Sequence, residues 1–314
     1  MKKIVVIGGG TGLSTLLRSI RDYPIEITAI VTMVDDGKST GQLRREFDIL
    51  PPGDIRKCIA ALSDNEDLLL ELFQYRFNKG MGLKGHSLGN LFISAAQDIC
   101  GDFESAIEGI CGTLSIRGRI LPSTLEQVHL HAIFDNKKVI RGESKITKYG
   151  YSHRIEKVYL SKKKALANKK TLEAIDEADY IFVGPGSLYT SVITNFLLTS
   201  ILTHYQKSKA VKIYICNVST ERGETDKFTL CEHIDTLKKY GLNFDIVLAN
   251  SKKFRKGCGD GFVNPVIIDQ MENIKHQPVL VAKDLINPRI PLYHDIDKIG
   301  KEVWSIILKN KKRK

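Results

Sequence analysis

The sequence predicts an α/β fold, a mostly parallel sheet covered by helices on both faces, and three observations predict it. Short apolar runs alternate with amphipathic segments along most of the 314 residues, the pattern of strands buried on both faces by crossover helices. The first run, Ile4-Val5-Val6-Ile7, empties into Gly8-Gly9-Gly10-Thr11-Gly12 and then into the helix-like Leu13-Ser14-Thr15-Leu16-Leu17. Nearly every later run also ends in glycine or a polar residue, and ligands of open parallel sheets bind beyond those strand ends. A Rossmann-like three-layer α/β/α architecture follows, expected as one domain over residues 1–314.

Taken in order, strands are expected at Lys3 to Ile7, Glu26 to Met33, Tyr180 to Val183, Lys212 to Asn217, Phe244 to Ala249 and Val279 to Ala282. Each is rich in β-branched or aromatic residues and bounded by turn formers. Between the second and third, Gln127 to Phe134 and Val139 to Glu143 flank Asp135-Asn136-Lys137-Lys138, which reads as a β-hairpin. Arg154 to Leu160 supplies a further strand, so a small antiparallel insertion is expected at about residues 126–160. Pro51-Pro52-Gly53-Asp54 predicts a helix start with Asp54 as its N-cap, and Thr225 to Thr229 supply caps for a later helix.

Composition excludes several classes. Apolar content of 42% and charged content of 26% are ordinary for a globular chain. The apolar run after Lys2-Lys3 stops within four residues at Gly8, and no later stretch reaches the roughly 18 apolar residues of a spanning helix. A cytoplasmic protein with no membrane span is expected. The six cysteines, Cys58, Cys100, Cys111, Cys216, Cys231 and Cys258, show no zinc-type spacing and read as reduced thiols. The net charge of +11 is concentrated in Lys162-Lys163-Lys164, in Lys169-Lys170 and in a basic tail at 309–314. Such runs read as solvated surface, and no RNP-type or zinc-finger motif accompanies them, so no nucleic-acid partner is expected.

Strand, glycine turn and helix start are the parts of a phosphate-binding unit, in which bare backbone amides and a helix N-terminus meet an anion. Gly9, Gly10, Thr11, Gly12 and Leu13 are therefore candidate ligand contacts. A dinucleotide fingerprint starting at Gly8 finds Gly10 in place, but Leu13 occupies its third, normally small, position. The second strand exits into Asp35-Asp36-Gly37-Lys38-Ser39-Thr40, where acids suit a ribose hydroxyl or Mg²⁺. Asp35, Asp36 and Ser39 join the candidates. Gly37-Lys38-Ser39 is not a Walker A ending, because Thr32 stands where that motif needs its first glycine. A second cradle, Tyr180-Ile181-Phe182-Val183-Gly184-Pro185-Gly186-Ser187, adds Gly184, Gly186 and Ser187; two such loops suit a diphosphate. Asn217 ends a strand at the sheet's lip, and Asn90, in Gly85-His86-Ser87-Leu88-Gly89-Asn90, is a ligand or loop-bracing amide with His86 beside it. No catalytic residue is assigned, and the sequence requires no resident metal.

Taken together these stretches resemble the YvcK-type gluconeogenesis factors, relatives of the 2-phospho-L-lactate transferases. The matching runs are GGGTGLSTLLR from Gly8, DDGKSTGQLRREF from Asp35, ILPPGDIRKCIAALS from Ile49, GHSLGNL from Gly85, RILPST from Arg119, GPGSLYTSVITN from Gly184 and CNVSTERGETD from Cys216. The resemblance implies a Rossmann-like domain binding a nucleotide diphosphate, chiefly UDP-N-acetylglucosamine or UDP-glucose, with NAD-type dinucleotides as further occupants. It also implies a homo-oligomeric, cytoplasmic regulator linking carbon metabolism to cell-wall synthesis and cell shape. A Mg²⁺-dependent phospholactate transferase is the alternative. The chain departs from the family pattern at Gly37-Lys38-Ser39-Thr40, at Glu221-Arg222-Gly223-Glu224-Thr225 and at Tyr293-His294-Asp295, where relatives often carry Arg-His-Asp.

Overall fold

A computed structural model describes residues 1–64, 68–254, 263–269 and 278–310. The chain opens with β1 (Lys2–Gly8), α1 (Gly10–Ile20), β2 (Ile25–Val31), α2 (Lys38–Phe47), α3 (Pro52–Leu62), α4 (Leu68–Gln74), α5 (Leu88–Cys100), α6 (Phe103–Thr113) and β3 (Arg119–Pro122). Next come β4 (Leu130–Phe134), β5 (Val139–Arg141), α7 (Glu143–Gly150), β6 (Ile155–Leu160) and α8 (Lys169–Glu177). The last third runs through β7 (Tyr180–Val183), a π-helical turn at Leu188–Ile193, α9 (Thr194–Phe196), α10 (Thr199–Lys207), β8 (Val211–Ile215), α11 (Leu230–Lys239), β9 (Ile246–Asn250), β10 (Val279–Lys283) and α12 (Ile296–Asn310).

Seven strands form one sheet in the order β10-β9-β8-β7-β1-β2-β3, with every neighbouring pair parallel. The chain winds outward from β1 through β2 to β3, returns to β7 beside β1, and winds outward the other way. The boundary between β1 and β7 is thus the topological switch point, where the two connections diverge and leave a crevice. Both glycine loops leave the sheet there.

The period-2 alternation of β1 divides the core between two layers. Ile4 and Val6 face Leu13, Leu17, Ile59 and Val303, whereas Val5 and Ile7 face the opposite cluster with Phe134, Ile146, Val158 and Val192. The second cluster includes residues of β4, β6 and α7, so the insertion packs on one face of the main sheet. There β4 pairs antiparallel with both β5 and β6, and Lys137 takes the left-handed φ of 66° in the hairpin turn.

Three details differ from the sequence reading. The strand β3 was not expected: it has four residues, sits at the sheet's edge and ends at Pro122, so it lacks a long β-branched run. Glu143, expected in the hairpin, opens α7 instead, because Gly142 with φ 96° ends the strand. Asp54 lies inside the first turn of α3, whose N-cap is Pro51, and its carboxylate serves another helix. Among the described residues no helix is long and apolar enough to cross a membrane. Cys58, Cys100, Cys111, Cys216 and Cys231 are free thiols, while Cys258 and residues 311–314 lie outside the described residues.

Candidate functional site

The first loop turns on Gly10, whose φ of 66° starts α1 without a side-chain cap from Gly9. Amides in a helix's first turn have no intrahelical acceptor. That of Gly10 donates to Asp54 Oδ2 at 2.7 Å, while Thr11 and Gly12 line an adjoining cavity. Gly12 is where the two loops touch: a Cβ there would lie 2.5 Å from the Pro185 carbonyl oxygen and 2.8 Å from the Gly186 nitrogen. Leu13 is fully buried in the core and makes no part of the cavity wall; its amide meets the Gly9 carbonyl at 3.4 Å. The residue that breaks the dinucleotide pattern is therefore an anchor that fastens α1 to the sheet.

The second loop has the same outline and a different interior. Gly184 takes φ 75° and precedes a cis bond to Pro185. Asn217 grips Gly186 from both sides, accepting its N–H at 3.0 Å and donating to its carbonyl at 3.0 Å. Ser187 Oγ donates to Glu221 Oε1 at 2.7 Å. Behind it, Glu224 Oε2 accepts the Tyr189 and Thr190 amides at 3.0 and 3.2 Å, and Oε1 accepts Thr190 Oγ1 at 2.7 Å. The helical turn after this loop already holds an anion, and that anion belongs to the protein.

Gly9 to Gly12, Gly186 and Ser187 share one cavity of about 310 Å³ with Asn217, Glu221, Arg222 and His294. Burial, with the charge of Glu224 added, pushes the Glu221 carboxyl up to about 8. At neutral pH the Glu221 carboxyl is therefore largely uncharged beside an anion cradle. Residues 4–309 of the chain, which bring the two glycine loops to the β1/β7 switch point, match the CofD family, described as 2-phospho-L-lactate transferase CofD. The chain belongs to the CofD family.

Relatives of this CofD-family chain bear other names. It is 48% identical over 290 residues to the Gluconeogenesis factor of Bacillus subtilis, covering 90% of each chain. A Nostoc relative is 51% identical over 253 residues, 80% of this chain but 55% of that longer protein. The crystal structure of a UPF0052-family protein from Bacillus halodurans superposes with a TM-score of 0.91 at 39% identity, covering 96% of this chain and 98% of that one.

The remaining candidates of this CofD-family chain lie apart from the cavity. Asp35 turns into α2 and α3, accepting the Gly37 amide at 2.8 Å and Thr40 Oγ1 at 2.9 Å. Asp36 points the other way and caps α7, accepting the Ser144 amide and hydroxyl at 2.9 and 2.8 Å. Ser39 and Asn90 are buried together: Asn90 Nδ2 donates to Ser39 Oγ at 3.1 Å, His86 Nδ1 lies 3.2 Å from that hydroxyl, and Arg56 Nε donates to Asn90 Oδ1 at 3.0 Å. Asn90 thus braces the loops. Burial, then the charge of Asp54, raises Asp35; burial, then Asp35 and Asp54, raises Glu143 further. Burial opposes the Lys57 ammonium, but Asp54 at 2.9 Å, Asp35 and Glu143 outweigh it and hold it charged.

In this structure the acid pair is engaged by the protein's own donors. Both Asp35 oxygens already accept hydrogen bonds, Asp36 is committed to α7, and Lys57 supplies the local positive charge. Among the described residues no group of three or more His, Cys, Asp or Glu could hold a metal ion. Sequence reasoning missed Glu221 and Glu224 as wall and cap, because a polar run before a helix reads as helix initiation. It missed the Asp54–Gly10 bond because a first-turn acid reads as serving its own helix.

Proposed function

We propose that this protein is a gluconeogenesis factor that binds a nucleotide diphosphate sugar, such as UDP-N-acetylglucosamine or UDP-glucose, at the carboxyl ends of β1 and β7. The cavity between the two loops, with the Thr11 and Gly12 backbone at its wall, is the observation that carries this reading. A diphosphate there meets the partial positive end of α1 and amides with no other acceptor, while nucleoside and sugar extend along Asn217 to Arg222 and Leu292 to His294. An NAD-type dinucleotide carries the same diphosphate and competes for it. The relatives' shared name supports a role in carbon metabolism, and we extend that role to a cytoplasmic, homo-oligomeric regulator joining carbon metabolism to cell-wall synthesis and cell shape. Isothermal titration with UDP-N-acetylglucosamine should give saturable heat; no heat at millimolar ligand would overturn the reading.

The family match favours a second reading, transfer of a nucleotide-activated phospholactate to an acceptor alcohol. It expects Mg²⁺-dependent release of the nucleotide, measured by chromatography with and without the cation. Binding without release in either condition leaves the regulator.

A further inference from the structure

Arg56 lies near the start of α3, two residues after the Asp54 that holds the first amide of α1, and it does not line the cavity between the glycine loops. Its aliphatic stem runs against bare backbone: a Cβ on Gly89 would lie 2.8 Å from Arg56 Cδ and 3.0 Å from Cγ. Just beyond, Asn90 Oδ1 accepts a hydrogen bond from Arg56 Nε at 3.0 Å, and Asn90 Nδ2 is fixed in turn by donating to Ser39 Oγ at 3.1 Å. Stem and Nε are both held, so the guanidinium has one orientation, with its two Nη atoms at the open end. Those atoms make no hydrogen bond or ion pair among the described residues, and neither is sealed from the surface.

A second arginine stands beside this fork. The chain on either side of Arg76 is tied to the segment before Gly89, with the Leu88 amide on the Tyr75 carbonyl at 2.8 Å and the Phe77 amide on the His86 carbonyl at 2.9 Å. Arg76 itself is anchored by Nη1 donating to the Gly85 carbonyl at 2.5 Å. Burial, then the charge of Arg76, pull the Arg56 guanidinium below the usual arginine range, against the smaller effects of Asp54 and Asp35. Both acids are engaged elsewhere: Asp54 by the Gly10 amide and the Lys57 ammonium, Asp35 by Gly37 and Thr40. A half-buried cation with a like charge next to it and two parallel donors unfilled fits an anion that offers two oxygens in one plane. We propose that Arg56 and Arg76 form a second anion site, apart from the cavity between the glycine loops, for a small ligand bearing a carboxylate or phosphate group that meets the Arg56 Nη pair. The site is independent of the nucleotide-sugar reading, because none of its donors belongs to either glycine loop.

The test follows the Arg56 Nε–H resonance of the ¹⁵N-labelled full chain while sodium malonate or inorganic phosphate is added at constant ionic strength, with Arg56→Lys assigning the signal by its loss. At least one of the two anions should shift that resonance and saturate it, and the tighter of them tells carboxylate from phosphate. Arg56→Lys keeps stem and charge but lacks the planar fork, so calorimetry with that anion should show an affinity roughly tenfold lower, and Arg56→Gln should abolish binding. Both variants should keep the wild-type melting temperature and the wild-type affinity for pyrophosphate. No saturable shift at Arg56 with either anion overturns the proposal, and the wild-type titration gives that answer even if a variant does not fold. A lysine variant that binds as tightly as wild type also overturns it, since a diffuse charge would then suffice. Equal losses for pyrophosphate and the small anion in Arg56→Gln would place Arg56 in the service of the diphosphate cavity and overturn it as well.

Discussion

The loops after β1 and β7 share one grammar, a buried strand, a glycine turn and a helical start, yet they spend their backbone donors differently. After β7 the Tyr189 and Thr190 amides are held by Glu224. After β1 the Gly10 amide is held by Asp54 and the Leu13 amide by the Gly9 carbonyl, while Thr11 and Gly12 between them line the cavity. A carboxylate at a helix N-terminus does for the protein what a phosphate does for a ligand site. The comparison teaches that a glycine loop marks where an anion fits, and that the neighbouring acids decide whose anion it is.

The largest way to break this comparison is to push the loops apart. Gly12→Ala places a methyl group against the Pro185–Gly186 backbone, where no side chain can move aside. Melting should show a destabilisation of about 1–3 kcal/mol, and nucleotide affinity should fall at least tenfold. An alanine variant that binds normally would mean that the two loops do not form one site.

A smaller effect sharpens the role of Glu221, which faces Ser187 and Glu224 across the cavity wall. Its carboxyl, pushed up to about 8, is neutral below that pH and becomes anionic above it. The diphosphate of a UDP-sugar does not titrate in this range, so affinity should fall as pH rises, roughly threefold to tenfold between pH 7 and pH 9. Glu221→Gln should flatten the profile. A flat profile in wild type would show that Glu221 does not face the bound anion.

Much of the fold was legible because burial writes itself into sequence. Six of the seven sheet strands were located within a few residues by their β-branched runs, and the hairpin by its polar turn. The strand β3 was not, because at an edge, ending in Pro122, it needs no such run. Gly9, Gly10, Thr11, Gly12, Gly186, Ser187 and Asn217 come together around one cavity. Gly184 sets the turn behind them. Leu13, Asp35, Asp36, Ser39 and Asn90 do not: Leu13 is buried in the core, Asp35 accepts from the nearby Gly37 and Thr40, and distant segments supply Ser144 for Asp36 and His86 and Asn90 for Ser39. Polarity is visible in a sequence; which polar group is already satisfied depends on the fold.

Amide resonances report the central claim residue by residue. In a titration of the labelled protein with UDP-N-acetylglucosamine, followed by two-dimensional ¹H–¹⁵N NMR, the Thr11 and Gly12 amides should shift progressively and saturate. The Tyr189 and Thr190 amides, bonded to Glu224, should barely move. Shifts confined to Tyr189 and Thr190, or none at either loop, would contradict the assignment of the diphosphate to the helix after β1.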